Sequence, residues 1–348
     1  MLAILCKELA GDFEMEVVCD GEGDMPARVE TVGTRVHRMP LTTKWSFAAH
    51  IPQLARLLRK RRPDLVHLHG QFAGSLGQIA LGLAGRPKNV YFVQWPSYLD
   101  DVGSWSRFRN QAAEKMSCFG ATAVVCVSDH DRREFIARRL CRAEKLRVIH
   151  NAFTHEAKTS RPPFSGERPT VGFIGRLVDQ KGCEYLLQAA PAILQAHPDA
   201  RFLLVGDGPE RARLESMARE LDIDNAVVFT GYQADPAAMI EAMDIVVMPS
   251  IYDPFPLVTL EAMILGRPVV GAAVGGIPEA VEDGRTGVLV PSRDPAAIAR
   301  EVNGLIENPE TSVAMGAAGR QSAQARFSPQ VISAQFADLY RELLSTAS

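Results

Sequence analysis

The chain has 348 residues, with 38 Lys and Arg against 41 Asp and Glu, 47% hydrophobic and 23% charged residues. Those values fit a folded globular chain of two ordinary domains or one large one, and they exclude disordered, collagen-like and low-complexity classes. The apolar runs are strand-sized, far short of the roughly 18 residues that span a bilayer. The six cysteines (6, 19, 118, 126, 141, 183) hold no C-x-x-C pair, which suits buried, reduced thiols in a cytoplasm. Residues 1–160 contain 23 Lys and Arg against 17 Asp and Glu, a charge of +6, whereas 161–348 contain 15 against 24, a charge of −9. The first half therefore suits an anionic partner, but it lacks the clustered cations and interleaved aromatics that argue for nucleic acid.

The chain opens on a helical pattern over 1–10, with Leu2, Leu5 and Leu9 on one face and Gly11 as its stop; no basic leader or cleavage site marks a signal peptide. Strands follow at 16–19, 64–69, 90–93, 122–127 and 146–149, with helices over 47–60, 107–119 and 129–141 between them, so the alternation predicts a parallel sheet. The segment 159–169, with three prolines and a glycine among polar residues, has linker composition. Strands resume at 170–174, 201–205, 227–229, 245–248, 268–270 and 287–290, giving a second parallel sheet. Beyond Asp294 the pattern is helical, and a last amphipathic segment over 329–344 can fold back over the first domain. The expected domains are therefore 1–160, 161–328 and a returning helix over 329–348.

Three polar constellations sit at the carboxyl ends of strands in the second half, the edge where open parallel sheets bind ligands. Gly175-Arg176 closes one strand and Lys181-Gly182 opens the next helix, so two cations beside a helix N-terminus can receive a diphosphate. The same residues equally suit a polar surface loop. In PSIYDPFPLVTLEAMILGRP (249–268), Pro254 and Pro256 keep Asp253 in a loop while Glu261 falls in the helix. Side chains in a helix lean toward its N-terminus, which aims Glu261 at the loop, and the first N–H groups at Leu257 and Val258 are free for a phosphate. A solvated acid pair or a helix cap explains the two acids equally well. The third piece, Gly275-Gly276 and Asp283-Gly-Arg-Thr-Gly287, is explained by turns alone.

Taken in order, GFIGRLVDQKG (172–182), LLVGDGP (203–209), VFTGY (228–232), the 248–270 stretch and GGIPEAVEDGRTGVLV (275–290) resemble the family 4 glycosyltransferases, retaining enzymes of the GT-B fold. Weaker matches in RPDLVHLHG (62–70), AVVCVSD (123–129) and VIHNA (148–152) extend the resemblance to the first half. It implies an α/β protein of two Rossmann-like domains whose parallel sheets face a central cleft. The second domain would hold a nucleotide diphosphate sugar as donor substrate, with no cofactor and no metal. Arg176 and Lys181 would bind the diphosphate and steady the leaving group. Glu261 would grip the ribose and Asp253 the donor sugar, with Gly175, Leu257 and Val258 near the phosphates and Gly231 and Tyr232 near the base. His69 and Gln94 would border the acceptor side. The acceptor would be a hydroxyl of a carbohydrate, a lipid-linked sugar or a small molecule, as in polysaccharide biosynthesis.

Several features depart from the family pattern. Asp253 stands where the family has Glu, Pro256 stands for a glycine, and Gln94 occupies a position where the family often has His. The usual first strand and glycine-rich loop are not in the sequence, which predicts a gene product beginning about 15–25 residues upstream. That gap keeps open a truncated or non-catalytic relative that binds a nucleotide without turnover. An NAD-dependent oxidoreductase is a further alternative, disfavoured because no strand is followed by G-x-G-x-x-G. His67 and His69 share one strand face but lack a third metal ligand nearby, and Asp222-Ile-Asp224 lies between a helix and a strand, out of place for a metal motif. Trp95, Tyr98, Asp100 and Asp101 suit either acceptor contacts or a polar turn. Arg59-Lys60-Arg61-Arg62 suits a helix C-terminus, or peripheral contact of the N-terminal domain with the inner face of the membrane.

Overall fold

The computed structural model describes residues 1–21, 23–41, 44–96, 104–153, 168–233 and 235–345. The chain forms two compact units, Met1–Ala152 with Pro329–Ser348, and Phe153–Ser328. Tyr98, Asp100, Asp101 and nearly all of the linker segment, including the expected boundary at 160/161, lie outside the described residues.

The first unit runs α1 (Leu2–Glu8), β1 (Glu16–Cys19), α2 (Met25–Glu30), β2 (Arg35–Arg38), α3 (Lys44–Arg61), β3 (Leu65–His69), α4 (Gly70–Leu83), β4 (Lys88–Val93), α5 (Ser104–Gly120), β5 (Ala123–Cys126), α6 (Asp129–Ala137) and β6 (Leu146–Val148). Strands β1 and β2 pair in parallel as one sheet, and β3, β4, β5 and β6 form a second parallel sheet in chain order. Strand β4 is apolar from Val90 to Val93, where both faces of its sheet are covered. On one face the Tyr91 hydroxyl donates to Glu114 of α5 at 2.7 Å, and on the other Phe92 meets Phe336 of the C-terminal helix with ring centroids 5.5 Å apart.

Elements α2, β2 and α4 are absent from the sequence-based reading. Helix α6 also stops at Ala137, short of the expected 141. There Arg139 takes a left-handed φ of 53°, and the Leu140 N–H reaches back to the Phe135 carbonyl at 2.9 Å, which closes the helix end.

The second unit runs β7 (Thr170–Ile174), α7 (Cys183–Ala196), β8 (Arg201–Val205), α8 (Arg211–Glu220), β9 (Val227–Gly231), α9 (Pro236–Glu241), β10 (Ile245–Met248), α10 (Leu257–Ile264), β11 (Val269–Ala272), α11 (Ile277–Ala280), β12 (Gly287–Val290), α12 (Pro295–Glu307) and α13 (Pro309–Phe327). Each of the six expected strands is present within two residues of its reading. They form one parallel sheet in the order β12-β11-β10-β7-β8-β9. The chain builds outward from β7 through β8 to β9, then returns to lay β10, β11 and β12 on the other side. The strand order therefore reverses between β7 and β10, and the carboxyl edge at this switch point is where open parallel sheets bind ligands. Beneath it Phe173, Leu186, Leu187, Ile193 and Phe202 form a fully enclosed core.

Helix α14 (Pro329–Ser345) belongs to the first unit, where Phe336 and Tyr340 pack on His67 at 5.4 and 5.8 Å between ring centroids. Among the described residues no helix is long and apolar enough to cross a membrane.

Candidate active site

The loops and helix that follow β7 and β10 at the carboxyl edge carry Gly175, Arg176, Lys181, Asp253, Leu257, Val258 and Glu261. Strand β7 ends at Ile174, and the chain passes through Gly175, Arg176 and a single tight helical turn, Asp179–Lys181, before α7 begins. Gly182 takes φ +64°, and a Cβ there would stand 2.2 Å from the Pro249 carbonyl oxygen. Only glycine lets the β7 loop lie this close to the β10 loop. The two are tied further by the Ile251 N–H, which donates to the Gln180 carbonyl at 2.9 Å.

That proximity brings Lys181 onto Asp253: the ammonium group donates to Oδ2 of the carboxylate. Asp253 is only 3% exposed, and burial raises its carboxyl pKa while Lys181 pulls it back down. The loop that carries it is held from its far side, where the Gly276 N–H donates to the Asp253 carbonyl at 2.9 Å. Gly275, at φ +56°, allows this approach, since a Cβ there would meet the Asp253 carbonyl oxygen at 1.8 Å. Loops from three adjacent strands thus fix one carboxylate and one ammonium group.

Glu261 sits on α10, which starts at Leu257 after the two prolines. Among the described residues its Oε2 is enclosed without a hydrogen-bond partner, and burial alone pushes its pKa up to about 7. Ser250 Oγ in the β10 loop is likewise enclosed and unpartnered. Buried polar atoms are normally satisfied, so these two fit a site completed by a polar ligand. The N–H groups of Leu257 and Val258 open α10 and have no acceptor among the described residues. Arg176 is exposed. Gly231 closes β9 at the same edge, its carbonyl accepting from the Gly206 N–H at 2.9 Å, and Tyr232 beyond it is 78% exposed.

His69 and Gln94 lie in the first unit, at the carboxyl ends of the paired strands β3 and β4. His69 stacks on His67 with ring centroids 4.1 Å apart, and the Nε2 atoms of both are enclosed without a partner. Burial, then the positive amino group of Met1, lowers the His69 pKa to about 4, so the ring is neutral at physiological pH. His67 Nδ1 lies 2.5 Å from the Tyr340 hydroxyl. Gln94 is exposed. Among the described residues no group of three or more His, Cys, Asp or Glu side chains is arranged to hold a metal ion.

A family model described as Glycosyl transferases group 1 matches residues 155–322, and one described as Glycosyl transferase 4-like domain matches residues 2–152. The chain belongs to the family 4 glycosyltransferases. It is 29% identical over 270 residues to the alpha-D-kanosaminyltransferase of Streptomyces kanamyceticus, covering 73% of this chain and 68% of that protein. An uncharacterized glycosyltransferase of Methanocaldococcus jannaschii is 28% identical over 339 residues, covering 88% and 85%. Among solved structures, Anabaena HepE in complex with UDP-glucose superposes with a TM-score of 0.82 at 25% identity, over 98% of this chain and 95% of that one. The fold of this glycosyltransferase is accordingly GT-B, two Rossmann-like units with parallel sheets. Two features of its site carried no signal in the sequence. One is the enclosed hydroxyl of Ser250, an ordinary residue after a strand, and the other is the direct pairing of Lys181 with Asp253.

Proposed function

We propose that this glycosyltransferase is a retaining, metal-independent hexosyltransferase whose second unit binds a nucleoside diphosphate sugar. The pairing of Lys181 with Asp253 beside the exposed Arg176, at the carboxyl edge between β7 and β10, carries the reading. A diphosphate lying there meets the Arg176 guanidinium, the Lys181 ammonium and the free N–H groups of Leu257 and Val258. These fixed positive groups stabilise the charge that grows on the phosphate as the glycosidic bond breaks, the part a metal plays in other transferases. The unpartnered Glu261 carboxylate suits a pair of ribose hydroxyls, and Asp253 the donor sugar. On the retaining course the acceptor hydroxyl attacks the face that the phosphate leaves, and the departing phosphate takes its proton. HepE is solved with UDP-glucose, which makes uridine nucleotides the first donors to try. Carbohydrates, lipid-linked sugars and small-molecule alcohols are the acceptors that fit, and the setting is the cytoplasm, peripheral on the inner face of the membrane.

The test is release of nucleoside diphosphate from a panel of nucleotide sugars with mixed acceptors, and the anomeric configuration of the product by NMR. Arg176→Ala is expected to lower turnover at least tenfold, since a charge-assisted hydrogen bond contributes about 1.5–3 kcal/mol. EDTA is expected to leave turnover unchanged. An inverted product, or full turnover in Arg176→Ala, overturns the reading. A nucleoside diphosphate bound with no transfer to any acceptor would favour a non-catalytic binding protein.

A further inference from the structure

Helix α5 exposes Trp105, Phe108, Ala112, Met116 and Phe119, spaced i, i+3, i+7, i+11 and i+14, which is a single stripe along its outer face. The large members are 75%, 63%, 41% and 86% exposed. Solvated helices normally turn such residues inward. The inner face of α5 is already occupied: Glu114, Ser117 and Cys118 are buried, and Gln78 of α4 donates to the Ser117 carbonyl at 3.3 Å. On α4, which packs between α3 and α5, Phe72, Ile79 and Leu83 are exposed at i, i+7 and i+11.

The exposed charges of α5 itself are all positive. Arg109 and Lys115 flank the stripe on either side and are exposed, whereas Glu114, the single acid of α5, is buried against Tyr91. Residues 44–62 and 70–88, which contain α3 and α4, include no Asp or Glu, and Arg56, Arg59 and Lys60 of α3 are exposed. A second copy of this face would set cations against cations. An aromatic stripe with a cationic rim instead matches the boundary of an anionic bilayer, where rings sit among headgroups and cations meet lipid phosphates.

We propose that the outer face of α5, supported by α4 and α3, docks on an anionic lipid surface with the helix lying in the plane of the interface. This rests on the peripheral placement given above and names the surface that makes the contact.

The full chain is sedimented with vesicles of phosphatidylglycerol mixed into phosphatidylcholine, and with phosphatidylcholine alone. The wild type is expected to bind the anionic vesicles at least tenfold more tightly and to be released by added salt. Trp105→Ser with Phe119→Ser, and separately Arg109→Glu with Lys115→Glu, are expected to weaken that binding at least tenfold. Both variants are expected to keep the far-UV circular dichroism and the urea unfolding transition of the wild-type first unit, which shows an intact fold where α5 lies. Failure of every form to bind UDP would count against the donor reading alone and leave the vesicle result standing. Equal vesicle binding by wild type and variants, or none by the wild type, overturns the proposal. It is overturned equally if Trp105→Ser with Phe119→Ser turns a dimer into a monomer, or if DNA competes the protein off the vesicles.

Discussion

Lys181 and Asp253 are 72 residues apart in the chain yet share a proton-bearing contact in the fold. Neither residue acts alone: Asp253 fixes the ammonium proposed to meet the diphosphate, and Lys181 offsets the burial of the carboxylate. Lys181→Ala and Asp253→Asn are therefore expected each to lower turnover at least tenfold, and the double variant to lose scarcely more than the worse single one. Steady-state kinetics of the three variants checks this, and multiplying losses would show two independent residues. Glu261 makes a separate expectation about pH. Its folded pKa, about 7, lies above the usual 4.5, so between those values the folded protein holds a proton that the unfolded chain has lost. Stability then falls as pH rises from about 4.5 to 7 and is flat above. Glu261→Gln removes that dependence. Its melting temperature is expected to gain on the wild type between pH 5 and pH 8 in the absence of nucleotide, and calorimetric scans at the two pH values measure the gain.

Among the elements that emerge from sequence, the plainest are strands apolar over most of their length. Strands β7, β8 and β10 are buried on both faces, so TVGFI, RFLLV and IVVM announce themselves as short runs between turns. Strand β2, RVHR, does not, because its outer residues are exposed arginines and its glutamate partners lie elsewhere in the chain, Arg35 pairing with Glu16 at 3.1 Å. Helix α4 is hidden by its four glycines, which argue against a helix on propensity while tertiary packing enforces one. Loops gain their shape the same way. Gly182→Ala is expected to cost about 1–2 kcal/mol for the left-handed backbone alone, and more for the contact with the Pro249 carbonyl. Because relief of that contact parts the β7 and β10 loops, UDP affinity is expected to fall together with the melting temperature. A fall in melting temperature with unchanged affinity would separate the loop from the site.

At the scale of the whole molecule the last helix is the element that joins distant parts of the chain. Phe336 of α14 is fully enclosed against Phe92 and His67 of the first unit. Phe336→Ala is expected to destabilise that unit by about 3–5 kcal/mol, seen in urea unfolding as an earlier transition, while UDP binding by the second unit persists. The amino-acid sequence by itself determined the strand and helix alternation and the six strands of the second unit, and it singled out Arg176, Lys181, Asp253 and Glu261 as candidates, because burial periodicity and the order of residue types are written along the chain. Tertiary structure alone decided that Lys181 meets Asp253, that Glu261 Oε2 and Ser250 Oγ are enclosed without a partner among the described residues, and that α5 turns its aromatic stripe outward. Those outcomes depend on which surfaces are already occupied once the strands have paired, a quantity that no local stretch of sequence contains.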